Sequence, residues 1–342
     1  MGLFNFGNNG LAIDLGTANT LIIQNDTIIL NEPSIIAVNS LTGDLVAFGK
    51  KALLMHEKTH ESIKTIRPLK DGVISNFHAC EQMLRGMIKT VNQGKNFLMK
   101  SIEKMVICIP FSSTEVEKRA VRDSAEHAGA KELFMIHEPI AAALGLGLNV
   151  KEAEGSMVID IGGGTTEIAV ISLGGVVCNQ SLKMAGDALN NELVHFMRRE
   201  HNLTIGERTA ERIKIEVGAA STDLENPPSD MEVIGRDMLT GLPKSIRISY
   251  GEVAEALDKS VSMIEDAVVK TLENCPPELA SDIYERGICL TGGGSGLRGL
   301  DKRIEKRTRL KVLTTESNLT SVINGAGLSL KTLPTMKHML IR

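Results

Sequence analysis

A strand–turn–strand unit occurs twice in this chain, 146 residues apart. LAIDLGTANTLII (Leu11–Ile23) overlays MVIDIGGGTTEIA (Met157–Ala169), so that Ile13, Asp14, Gly16, Thr20 and Ile22 match Ile159, Asp160, Gly162, Thr166 and Ile168. Each copy reads as an apolar strand ending in aspartate, a polar turn containing glycine, and a second apolar strand. Such a duplication constrains the fold strongly, because each copy needs a sheet in which to bury its strands. A second pair of segments extends it. MVICIPFSSTEVEKRAV (Met105–Val121) and GICLTGGGSGLRGLDKRI (Gly287–Ile304) each read as a strand running into a helix. Two α/β domains related by duplication are expected, facing each other across a cleft. Each would hold a sheet that begins with the hairpin and ends with the strand–helix unit.

At 342 residues the chain exceeds the size at which one core usually stops growing, which agrees with two domains. Its net charge of −4, without a long basic run, argues against a broad nucleic-acid surface. Cys80, Cys108, Cys178, Cys275 and Cys289 form no CxxC pair, and fit free thiols in a reducing cytosol better than a disulfide or zinc framework. The longest uncharged stretch, Ile168–Leu182, has 15 residues and a Gly-Gly break. A transmembrane helix needs about 20 apolar residues. The N-terminus lacks the basic leader of a secretion signal. A cytoplasmic chain that does not span a membrane is expected.

Helices follow from apolar spacing. Ser112–Glu115 reads as a capping box, with Val116, Ala120, Val121, Ala125 and Ala128 on one face and Gly129 as the stop. Ser249 and Glu252 open a longer helix, marked by Val253, Leu257, Val261, Ile264, Val268 and Leu272 and ended by Pro276–Pro277. Between the two, Glu207–Ser245 reads as a small inserted lobe.

The chemistry lies in the turns. Glycine lets backbone N–H groups approach phosphate oxygens, and a neighbouring carboxylate can hold Mg²⁺ through water. One such turn alone reads as an ordinary hairpin with a solvated aspartate. Two of them, on Asp14 and Asp160, with a third glycine-rich turn at Gly292–Gly294, favour a clamp around a nucleoside triphosphate. No Walker A or GxGxxG pattern follows a strand.

DLGTANT (Asp14–Thr20), DIGGGTTEIAVIS (Asp160–Ser172) and LTGGGSGLRGLD (Leu290–Asp301) resemble the two phosphate motifs and the adenosine motif of the actin, heat-shock-chaperone and sugar-kinase superfamily. IPFSSTEVEKRAVRDSAEHAGA and HEPIAAALGLGL resemble its first connecting segment, and the wording is closest to the MreB family of bacterial actin homologues. The resemblance spans about residues 8–335 and implies an actin-like ATPase fold of two duplicated α/β domains. The first would take 8–144 with about 317–336 and a small subdomain near 33–66; the second would take 145–316 with a small subdomain near 187–247.

The resemblance further implies a membrane-associated cytoskeletal ATPase. It would bind Mg-ATP between the domains and form filaments that direct rod-cell shape with the cell-wall elongation machinery. Asp14, and Asp160 near the attacking water, would hold Mg²⁺ through water. Gly16, Thr17, Ala18 and Asn19 would wrap the phosphates from one side, and Gly162, Gly163 and Gly164 from the other. Glu138 would orient or deprotonate the hydrolytic water, with Thr165 as its partner at the γ-phosphate. Gly186, Asp187, Glu211 and Lys214 would meet the ribose and base, with Gly292, Gly293 and Gly294 passing beneath the adenosine. Glu211 and Lys214 read equally as a surface ion pair, three residues apart on one helix. ATP and GTP both stay open, because the base contacts are mostly backbone and apolar. Where the family commonly has two glutamates before the proline, this chain has His137–Glu138–Pro139, which keeps the catalytic candidate. His137 reads either as a group that tunes local charge near neutral pH or as a neutral spectator.

A chaperone-type ATPase would need a peptide-binding region after the ATPase core. A metabolite kinase would need a base for an acceptor alcohol where Glu138 stands, and a DNA-segregating homologue would match these motifs less closely.

Two apolar segments suit an anionic membrane surface. One is MGLFNF, with Leu3 and Phe4; the other is Phe97–Leu98–Met99, flanked by Lys95, Lys100 and Lys104. On residues alone, packing of Phe97 and Leu98 into the first domain is an equal reading. The family's apolar loop at this place favours contact with the inner face of the cytoplasmic membrane.

Overall fold

The computed structural model describes residues 10–92 and 102–341, which fall into two units. One holds the described parts of Met1–Ala153, Ile171–Val176 and Leu319–Arg342; the other holds Glu154–Val170 and Val177–Asn318. Each is described by itself.

In the first unit the sheet grows from β1 (Gly10–Leu15), which turns back into β2 (Asn19–Gln24) and β3 (Thr27–Pro33). Leu11, Ala12, Ile13 and Leu15 are all buried. A strand with no wet face belongs in the middle of a covered sheet, where a continuous apolar run replaces alternation. On the other side of β1 lies β4 (Ile102–Ile109), parallel to it, with Ile13 level with Ile107. The helix α1 (Glu115–His127) carries the chain to β5 (Ala130–His137), parallel to β4, and the short strand Leu340–Ile341 closes that edge.

The start of α1 differs from the sequence expectation. Thr114 is the cap, its hydroxyl accepting from the Glu117 N–H at 3.3 Å while its own N–H donates to the Glu117 carboxylate at 2.7 Å. The box therefore sits two residues past Ser112. The Ser113 N–H instead donates to the Pro110 carbonyl in the preceding turn. The expected face otherwise holds, with Val121 and Ala125 buried and Ala128 packed against the core, while Val116 in the first turn is 79% exposed.

α2 (Glu138–Gly145) follows β5 without a loop, with Pro139 in its first turn. It crosses the helix Ser321–Lys331 where neither can carry a side chain. A Cβ on Gly145 would overlap the Ser321 carbonyl, and one on Gly325 would overlap the Ala141 carbonyl.

The second unit repeats the plan. Its hairpin is β6 (Ser156–Ile161) and β7 (Thr166–Ser172), followed by β8 (Gly175–Leu182). Then come α3 (Gly186–His201), α4 (Glu207–Val217) and α5 (Tyr250–Glu273), and after them β9 (Ile288–Thr291), α6 (Leu300–Thr308) and β10 (Val312–Thr314). The strand order β8-β7-β6-β9-β10 copies β3-β2-β1-β4-β5. The parallel pairs β6/β9 and β9/β10 likewise copy β1/β4 and β4/β5. α6 is the counterpart of α1, as the second pair of segments predicts.

Ser249 and Glu252 form the capping box of α5, worth about 1 kcal/mol. Val253, Leu257, Val261, Ile264 and Val268 are buried beneath it. Each unit also carries a small three-stranded sheet, from Ile36–Asn39, Leu45–Phe48 and Ile63–Ile66 in the first and from Leu203–Thr204, Met231–Asp237 and Pro243–Ile248 in the second. Among the described residues no helix is long and apolar enough to cross a membrane.

The α2 crossing is testable. Gly325→Ala should lower the stability of the protein by about 2 kcal/mol or more, since backbone rather than a flexible side chain has to give way. Guanidinium unfolding reads the change; an unshifted midpoint would contradict the packing.

Candidate functional site

In the first unit, Leu15 pairs with Thr20, leaving Gly16, Thr17, Ala18 and Asn19 as a four-residue turn at the carboxyl end of β1. Gly16 is required there, because a Cβ would stand 2.7 Å from the Asn19 carbonyl oxygen. Ser34, just past β3, organises the turn. Its hydroxyl donates to the Gly16 carbonyl at 2.6 Å and its N–H to the Ala18 carbonyl at 2.9 Å. The Thr20 and Ser34 hydroxyls also meet, at 2.8 Å. No peptide bond here is cis, and in a planar trans peptide the N–H points opposite to the carbonyl. With the carbonyls of Gly16 and Ala18 drawn to Ser34, the N–H groups of Thr17 and Asn19 point away from it. The Thr17 hydroxyl is held by the Gly72 N–H at 3.0 Å.

Asp14 lies one residue before the end of β1, and burial pushes its carboxyl up to about 7. No described cation or donor offsets that burial. Glu138, half-buried, opens α2 directly after His137, which is level with Ile109 of β4. Because β1, β4 and β5 are parallel, Asp14, the glycine turn and Glu138 share one edge of the sheet, the edge at which open α/β sheets bind ligands. His137 packs on the Phe111 ring at 4.7 Å between centroids. Burial, and then the nearby Lys118 charge, lower its pKa, so the ring is neutral in the physiological range.

The second unit solves the same problem with a helix. The Gly162 N–H closes its turn on the Thr165 carbonyl at 2.9 Å. The carbonyls of Gly162 and Gly163 accept the first N–H groups of α3, from Gly186 at 3.1 Å and Asp187 at 2.7 Å. By the same peptide geometry, the N–H groups of Gly163 and Gly164 point away from α3, and adjacent outward N–H groups form an anion-binding concavity. Asp160 is buried, level with Thr291 of β9. The turn after β9 comes so close that a Cβ on Gly292 would overlap both Asp160 Oδ1 and the Ile161 carbonyl, and Gly292 also has a φ of +80°. Gly292 therefore lies directly beside Asp160, and Gly294 lies against Ile161.

Glu211 and Lys214 do form an ion pair, at 2.8 Å, yet not as a free surface pair. Lys214 Nζ also donates to the Gly186 carbonyl at 3.0 Å, and Asn190 Nδ2 donates to Glu211 Oε2 at 2.6 Å. Asn190, Ser34 and Gly72 escaped the sequence reading, because each reaches the site through the fold rather than through a local pattern. Leu3, Phe4, Phe97 and Leu98 lie outside the described residues.

The raised Asp14 pKa gives a stability test. Between the unfolded value of 3.8 and the folded value near 7, the folded protein keeps a proton that the unfolded chain has released. Its stability therefore falls as pH rises through that window. Asp14→Asn removes the loss and should stabilise the ligand-free protein at pH 8 by about 2 kcal/mol, allowing for partial exposure, with little effect at pH 4. Denaturant midpoints at the two pH values check it; equal effects at both would contradict the assignment.

Comparison with known proteins places this geometry in a family. The family model described as MreB/Mbl protein matches residues 8–338. Cell shape-determining protein MreB of Escherichia coli K12 is 46% identical over 328 residues, 94% of this chain and 93% of the relative. MreB5 of Spiroplasma citri bound to ADP superposes with a TM-score of 0.89 at 36% identity, over 96% of this chain and 97% of that one. The same protein bound to AMPPNP matches with a TM-score of 0.89 at 35% identity and the same coverage. A chain of the MamK double helical filament gives 0.77 at 21% identity, over 95% of this chain and 98% of that one, a likeness of fold alone. The fold is actin-like, and the chain belongs to the MreB/Mbl family.

Proposed function

We propose that this protein is a membrane-associated cytoskeletal ATPase, which binds Mg-ATP and polymerises into filaments that direct rod-cell shape and wall synthesis. One observation carries the reading: two Asp–Gly turns, each with its carbonyls tied inward and its N–H groups turned out. The ADP and AMPPNP complexes of the Spiroplasma relative support a nucleotide as the ligand.

Phosphoryl transfer to water is catalysed by positioning and charge neutralisation. In this reading the N–H groups of Thr17 and Asn19 hold phosphate oxygens, as do those of Gly163 and Gly164. Mg²⁺, when bound, neutralises phosphate charge, and Asp14 and Asp160 are its proposed holders through water. Asp14 suits that role, being a half-buried carboxylate with no cation beside it among the described residues. Glu138 orients the attacking water, with the Thr165 hydroxyl at the γ-phosphate. Its place between β5 and the Pro139 turn of α2 keeps its backbone rigid, as a positioning group requires.

Self-assembly is proposed from membership of the MreB/Mbl family, and a head-to-tail contact that does not close gives an open polymer. Phe97 and Leu98, or Leu3 and Phe4, would supply weak membrane anchors that add up along a filament. The wall-elongation machinery is the proposed partner at the inner face of the membrane.

Glu138→Ala should bind ATP within a few-fold of the parent and hydrolyse it about 100-fold more slowly or worse. Phosphate release under saturating ATP checks this, and parental turnover would remove Glu138 from the role. Phe97→Ser/Leu98→Ser should still polymerise with ATP but no longer decorate anionic lipid monolayers in electron micrographs. Unchanged attachment would move the anchor to the first six residues.

A further inference from the structure

Asn190 is 2% exposed, one turn into α3, and its amide is used in an unusual way. Nδ2 donates to Glu211 Oε2 at 2.6 Å, while Oδ1, equally buried, meets no donor. Flipping the amide would set that oxygen against a carboxylate oxygen, so the neighbour fixes the orientation. An unpaired buried oxygen costs stability that an apolar side chain of similar size would not. The asparagine is therefore explained by what its N–H does to Glu211 and not by packing.

Glu211 Oε2 takes a second donor, Lys214 Nζ, at 2.8 Å. Two donors from two helices hold one carboxylate oxygen still. The other, Oε1, takes no donor from the described residues, and the side chain is 45% exposed. A carboxylate with one oxygen pinned and one open accepts a hydroxyl well and repels phosphate. The chain of contacts also fixes its distance from the phosphates. Lys214 Nζ donates to the Gly186 carbonyl, and the Gly186 N–H donates to the Gly162 carbonyl in the glycine turn. The part of a nucleotide that lies next to its phosphates and donates hydrogen bonds is the ribose.

We infer that Asn190 is a positioning residue, which sets Glu211 to accept a ribose hydroxyl and so makes the site selective for ribonucleotides over their deoxy counterparts. The inference rests on the nucleotide reading above and deepens it. Asn190 touches no part of the ligand; it acts through Glu211.

The test measures binding of ATP, 2′-deoxyATP and 3′-deoxyATP to the parent protein and to Asn190→Leu, with melting curves to confirm folding. The parent should bind ATP about tenfold more tightly than the analogue lacking the hydroxyl that Glu211 takes, the equivalent of one well-placed hydrogen bond. Asn190→Leu should lose that factor for ATP and bind the same analogue as the parent does. Asn190→Ala, which removes the donor without adding a charge, should show the same selective loss and serves if the leucine variant does not fold. Equal weakening of all three nucleotides would mean a merely structural role and overturn the inference. So would a parent indifferent to both hydroxyls, or unchanged ATP binding in the variants. A parent that binds no nucleotide would overturn the nucleotide reading itself, and this inference with it.

Discussion

A carboxylate at the end of a strand that is buried on both faces is expensive, and this protein carries one in each unit. The central position of β1 pushes the Asp14 carboxyl up to about 7, and Asp160 is buried at the equivalent point of β6. Neither aspartate helps its sheet to form. Asp14 occupies a place where no described cation offsets its burial, so that a cation there would be welcome. The turns follow from the same constraint, because backbone has to pass close to the carboxylate. At Gly292 it passes so close that any side chain would overlap Asp160. The strand order does the rest, bringing parallel strand ends, and whatever follows them, to one edge of each sheet.

The two turns reach one arrangement by different means. In the first, a serine supplied by the end of β3 takes up the carbonyls of Gly16 and Ala18. In the second, the opening N–H groups of α3 take up those of Gly162 and Gly163. Planar peptides convert both into outward N–H groups. The second arrangement also ties the turn to α3, and through Lys214 to α4, so that the glycine turn and the Glu211–Lys214 pair share one frame. The duplicated copies have therefore diverged in their supports and kept what the supports achieve.

The duplication was legible because it rests on local patterns: apolar runs, an aspartate and glycines at fixed spacing. The sheets, their matching order and the α5 capping box follow from it. The cap of α1 differs from expectation because Ser112, Ser113 and Thr114 all make acceptable caps, and only the turn after Pro110 decides among them. Glu211 and Lys214 invited two readings, and their geometry joins the two: an ion pair tied into the helix beside the glycine turn. Ser34, Gly72 and Asn190 stayed invisible, since a serine after a proline, a turn glycine or an asparagine in a helix carries no signal until the fold brings it to a partner 18 residues or more away.

Nucleotide binding rests, in this proposal, on the backbone N–H groups of the two glycine turns. Amide chemical shifts during titration with AMPPNP and Mg²⁺ test it most directly. Thr17 and Asn19 in one turn, and Gly163 and Gly164 in the other, should shift together and saturate with a single Kd. A response confined to one turn, or two turns saturating at different concentrations, would contradict it.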